Sequence, residues 1–87
     1  MKAVFHVIHE RLEAFTGKRG RVEQVIISLL DLDEQPMMNT VDYVLDEGEK
    51  EMHAGKLKGK QVEVAIHDVR VNFGGRVRVM GRLLSVA

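Results

Sequence analysis

Apolar residues recur at every second position through most of the chain, the spacing of strands with one buried face. In residues 21–33, Val22, Gln24, Ile26, Ser28, Leu30 and Leu32 alternate with Glu23, Val25, Ile27, Leu29 and Asp31. Near the end of that run both parities are apolar, which predicts a strand covered on both sides. Pro36 has no N–H to give to a ladder, so the strand stops before it. Residues 38–45 alternate again and predict a third strand. Residues 61–72 predict a fourth, with Val62, Val64 and Ile66 on one parity and Val69 and Val71 on the other. The switch falls at His67 and Asp68, where a bulge or sharp bend is expected. Residues 76–86 predict a fifth strand. The start is ambiguous: in residues 3–15, Phe5, Val7 and His9 alternate with Val4, His6 and Ile8, yet Ile8, Leu12 and Phe15 also share one face of a helix. The polar stretch 46–57 has room for a short helix.

Glycines punctuate these runs. Gly17 and Gly20 bracket Lys18 and Arg19, a turn between the first two strands. A three-residue loop of Phe73, Gly74 and Gly75 sets Asn72 against Arg76, Val71 against Val77, Arg70 against Arg78 and Val69 against Val79. In that register every valine meets a valine, whereas a one-residue slip sets Val71 against an arginine.

Five strands, a bent fourth strand and a short helix between the third and fourth predict a mostly β fold closed into a small barrel, which removes exposed edges. The chain resembles the OB-fold single-stranded nucleic-acid-binding proteins, whose domain is a five-stranded Greek-key barrel with that helix placement. The resemblance rests on the paired strands through Lys18, Arg19 and Gly20, and on the run Ser28, Leu29, Leu30, Asp31 closing the second strand. It rests also on residues 54–62 (Ala-Gly-Lys-Leu-Lys-Gly-Lys-Gln-Val), a helix exit followed by Lys-Gly-Lys and a strand, and on Gly81 in the last strand, where tightly coiled barrel strands need a glycine. It is one of pattern and element order, and SH3-like small barrels share much of it.

The chain has 87 residues, which allows one domain over 1–87. It has no cysteine, so disulfides, thiolate nucleophiles and cysteine-based zinc sites are excluded, and a reducing, cytoplasmic setting is expected. No apolar run approaches the roughly 20 residues of a membrane-spanning helix. Ser28 and Ser85 lie in no nucleophile turn, and Gly74 and Gly75 form a hairpin tip rather than a phosphate loop. The chain is therefore expected not to be an enzyme. His6 and His9 point to opposite faces if they lie on a strand and would share a face only on a helix, while His53 and His67 have no local partner. No metal site and no cofactor are expected.

Thirteen basic and thirteen acidic side chains leave no net charge, but they are segregated. Residues 1–30 carry +2, residues 31–51 carry −7 and residues 52–87 carry +5. Local fields, not totals, decide what a face attracts. Either the acidic segment pairs internally with the arginines, or each pole meets a partner. The OB resemblance implies an oligonucleotide across strands two and three, held by the loops between strands one and two and between strands four and five. Here both loops set an aromatic beside glycines and cations. Lys18, Arg19, Arg21, Arg70, Arg76, Arg78 and Arg82 would contact phosphates, and Phe15, Phe73 and Tyr43 would stack on bases. The partner expected is single-stranded nucleic acid, DNA in preference to RNA. The alternative is a protein-interaction or homo-oligomerisation module using the acidic 31–51 region.

Overall fold

The computed structural model describes residues 1–31, 40–72 and 74–87. Its elements are β1 (Lys2–Gly17), β2 (Gly20–Asp31), β3 (Thr40–Val44), α1 (Glu47–His53), β4 (Gln61–Val71) and β5 (Val77–Val86). The strands hydrogen-bond in the ring-like order β1-β2-β3-β5-β4, with β3 and β5 parallel and all other neighbours antiparallel. This is the general OB-like arrangement, short helix included. The expected continuation of strand two to residue 33 and the start of strand three at residue 38 lie outside the described residues.

The ambiguous first segment is strand throughout, and its mixed periodicity has a physical cause. The pairing of β1 with β2 shifts between Val7 and His9, so Ile8 is an extra residue. Phe5 and Val7 face the core before the bulge; after it, Leu12 stands opposite core-facing Val25. One inserted residue thus moves apolar positions from odd to even numbers and imitates a helical face. The switch expected at His67 is a second bulge, between Ile66 and Asp68. The predicted register of the last hairpin is found pair for pair, from Val69↔Val79 through Arg70↔Arg78 to Val71↔Val77, with the Asn72 N–H donating to the Arg76 carbonyl at 2.9 Å.

The core gathers Phe5, Val7, Val25, Ile27, Leu29, Tyr43, Leu45, Leu57, Val62, Val64 and Val79. Helix α1 buries none of its own residues. It is held instead by polar contacts: Lys50 Nζ donates to the Glu23 carbonyl of β2 at 2.9 Å, and the Glu49 carboxylate makes most of the others. Asp46 caps the helix by accepting the Glu49 N–H at 2.8 Å, and Glu49 Oε1 accepts the Asp46 N–H at 3.0 Å, a capping box. The same Glu49 carboxylate accepts the Tyr43 hydroxyl (2.7 and 2.9 Å) and the Leu83 N–H (2.7 Å), which ties the helix to β3 and β5. On the far side of the ring, Glu10 accepts the N–H groups of Gly55 and Leu57, fastening the loop after α1 to β1. Among the described residues no helix is long and apolar enough to cross a membrane.

Candidate nucleic-acid interface

Because side chains alternate along a strand, the neighbours of core residues face outward. Val25, Ile27, Tyr43 and Val79 point inward, so Ile26, Ser28, Asp42, Val44, Arg78 and Met80 lie on the outer face of the ring. Directly opposed residues share a face. Asp42 stands opposite Arg78, and Arg78 opposite Arg70, so three strands present one charged row.

Arg76 joins this row from the hairpin loop. Its Nε donates to Asp42 Oδ2 at 3.2 Å, its Nη2 to Asp42 Oδ1, and its Nη1 to Thr40 Oγ1 at 3.1 Å. Ser28 Oγ donates to Asp42 Oδ1 at 3.4 Å. Asp42 is 4% exposed. Burial alone would push its carboxyl up, but the hydrogen bonds and charge of Arg76 outweigh that. With help from the Arg11 charge and the Ser28 hydroxyl, they hold it below the usual carboxylate range. At this one position an acid of the middle segment pairs internally with an arginine of the basic end.

The other cations are differently placed. Arg70 pairs with Asp68 at 3.2 Å and Arg21 with Glu23 at 3.6 Å; both pairs are surface contacts of the kind that contribute little. Lys18, Arg19, Arg78 and Arg82 make no ion pair among the described residues. Lys18 and Arg19 form the two-residue turn between Gly17 and Gly20, and Gly20 takes a positive φ of 106° that a side chain would resist. Phe15 lies just before that turn, opposite Val22, and is 49% exposed.

The expected site residues therefore fall into two groups. Phe15, Lys18, Arg19 and Arg21 sit at the tip of the β1–β2 hairpin; Arg70, Arg76 and Arg78 sit on the outer face of β4 and β5. Between Gly20 at the tip and Ser28 opposite Asp42, β2 rises by roughly 26 Å at the ordinary strand spacing. Arg82, exposed on β5 opposite Ala65, extends the second group along its strand. Tyr43 does not join either: its ring lies in the core at 2% exposure and its hydroxyl is engaged by Glu49, where burial first and the Glu49 carboxylate second push the phenol well up. Phe73 lies outside the described residues.

Sequence reasoning passed over Met80, Gln24 and Val44. β3 and β5 pair only at Val41↔Val77 and Asp42↔Arg78. Past that seam lies an open groove of about 350 Å³, lined at its sides by Gln24, Val44, His67, Arg78 and Met80, above Tyr43. A neighbouring hollow of about 290 Å³ is lined by Arg70, Val71, Asn72, Arg78 and Met80. A strand pattern announces none of this, because it encodes alternation along one strand and not the divergence of two. Compared with protein-family models, with curated proteins and with solved structures, the chain matches none of them.

Proposed function

We propose that the protein is a non-enzymatic OB-like Greek-key barrel that binds single-stranded nucleic acid, DNA in preference to RNA. The observation that carries this reading is the opposition of Arg70 and Arg78 on one outward face. Like charges set directly across two strands are unfavourable unless an anion relieves them. The buried acid Asp42 is committed to Arg76 and Asp68 meets Arg70 only through an exposed pair, which leaves Arg78 without a carboxylate partner among the described residues and makes a phosphate the complementary group. The cationic turn at Lys18 and Arg19, with Phe15 beside it, supports a second point of contact.

The test is a titration of labelled single- and double-stranded DNA and RNA at several salt concentrations. If the four expected site cations that make no ion pair among the described residues (Lys18, Arg19, Arg78 and Arg82) meet phosphates, log K falls against log salt with a slope of about −2.8, from about −0.7 per contact on single strands. A flat salt response, or no binding at low salt, overturns the proposal.

One observation favours the alternative of a self-association module. Both hairpins run past the ring with their core-side faces uncovered: Leu12 is 62% exposed, Val69 52% and Val71 68%. An apolar stripe can bury itself against a second copy, and that association would resist salt. Sedimentation of the wild type and of Val71→Lys checks this. The module reading requires a salt-resistant dimer that Val71→Lys weakens at least tenfold; a monomer at all concentrations sinks it.

A further inference from the structure

We infer that a nucleic-acid strand crosses β5 at Met80, seating successive bases in the two hollows on either side of it, with Arg78 on the phosphate that links them. This rests on the single-strand-binding reading above and names the track within it. The two hollows share two side chains, Arg78 and Met80, and are otherwise lined by different residues. They are neighbouring seats divided by one ridge. The first, at about 350 Å³, is at the small end of the range for ligand pockets, about 300–1,000 Å³, and the second, at about 290 Å³, falls just below it.

The chemistry of each part fits its role. The first seat exists because the parallel β3–β5 ladder stops after Asp42↔Arg78, which leaves Val44 and Met80 as walls over a buried floor of Tyr43 and Val79. A thioether is polarizable and packs favourably on an aromatic ring. Gln24 offers both a donor and an acceptor at the rim, and His67 adds a ring nitrogen of each kind when neutral. Such a mixed edge accepts any base rather than selecting one. Asp46 also lines this seat, but its carboxylate caps α1; its charge keeps phosphate away from that end and toward Arg78. The second seat is bounded by Arg70 and Asn72, so a phosphate on the ridge lies between Arg70 and Arg78 and relieves their opposition. Asp68 holds Arg70 only through an exposed pair, which a phosphate can displace.

The chain has no tryptophan, so Met80→Trp creates a single fluorescent reporter on the ridge. Its emission is read while a twelve-nucleotide thymidine oligomer, or an abasic deoxyribose-phosphate oligomer of equal length, is added. Binding is followed separately by the anisotropy of the same oligomers carrying a fluorescein label. Saturation with the thymidine oligomer is expected to quench the indole at least twofold, and the abasic oligomer to leave it nearly unchanged. A Met52→Trp reporter on the exposed helix should respond to neither. Arg78→Gln should weaken binding about tenfold and make the salt slope shallower by about 0.7. Met80→Ala, which tolerates the site without added bulk, should lose about fivefold in affinity for the thymidine oligomer and nothing for the abasic one. Anisotropy that reports binding while the ridge indole stays unquenched, or while Met80→Ala and Arg78→Gln bind like wild type, overturns the track and leaves the function standing. Absence of any anisotropy response in the wild type overturns both.

Discussion

Gly81→Ala is expected to destabilise the protein by about 3 kcal/mol or more, enough to leave a chain of this size largely unfolded at moderate urea. A Cβ at position 81 would lie 1.8 Å from the Ala65 carbonyl oxygen, 2.9 Å from its carbon and 3.1 Å from the Ile66 Cα. These are backbone atoms of the partner strand, so no rotamer change relieves the clash and the two strands must part. Parting them has a second effect. The Gly81 carbonyl accepts the Tyr43 hydroxyl at 3.3 Å, and Leu83, two residues on, donates its N–H to Glu49. The latch between α1, β3 and β5 would be pulled apart with the ladder. Gly48→Ala is the control: that position lies inside α1, its Cβ would meet only Asp46 Oδ1 at an ordinary 3.6 Å, and alanine favours a helix. It should gain about 0.5–1 kcal/mol. Urea melts of both variants by circular dichroism check the pair, and equal midpoints would refute the argument.

Arg76→Ala is expected to cost about 3 kcal/mol at neutral pH, because it strands the buried Asp42 carboxylate without its counter-charge. The reverse change, Asp42→Asn, should cost less, since the Arg76 side chain is 43% exposed and water can replace the lost bonds. The pH dependence separates the two. In the wild type the folded Asp42 titrates below its ordinary value, so its contribution is complete above about pH 4 and is lost as the pH falls through the folded value. Without Arg76 the influence that remains largest is burial, which favours the protonated acid. The penalty of Arg76→Ala should therefore shrink as the pH is lowered from 7 toward 4. Stability curves at several pH values test this; a penalty constant over that range would mean that the carboxylate is solvated after all.

The fold was legible where side-chain alternation and turn residues act locally. The β4–β5 register beside the hairpin loop could be read, because valines facing valines leave one acceptable pairing there, and the bulge at His67 announced itself as a parity switch; the further shift between Glu63 and Val64 did not. The bulge at Ile8 did not, since a single inserted residue among apolar neighbours produces the same spacing as a helix. The candidate interface was legible in part. The Arg70–Arg78 opposition follows from register alone. That Arg76 is bound to Asp42 does not, because the two residues are 34 positions apart and meet only through the parallel contact of β3 with β5. Tyr43 illustrates the same limit. Its strand has a polar parity and an apolar one, and an aromatic with a hydroxyl suits either until the position of Glu49 is known.

The ring has two seams that local folding cannot supply, the parallel contact of β3 with β5 and the pairing of β1 with β4, and the second spans more of the chain. β1 pairs along one edge with β2 through a two-residue turn, but its other edge, from Lys2 to His6, pairs with Gln61 to Ala65. Some sixty residues of chain must be in place before that edge finds its partner. Hairpins form in microseconds, whereas contacts of such separation set folding times of milliseconds to seconds. Of the five strands, β1 thus waits through the most chain for its second neighbour. Until then an unpaired strand edge, flanked by Phe5 and Val7, is available to any other chain that offers one. The arrival of residues 61–65 therefore sets how long that edge stays open to a wrong partner.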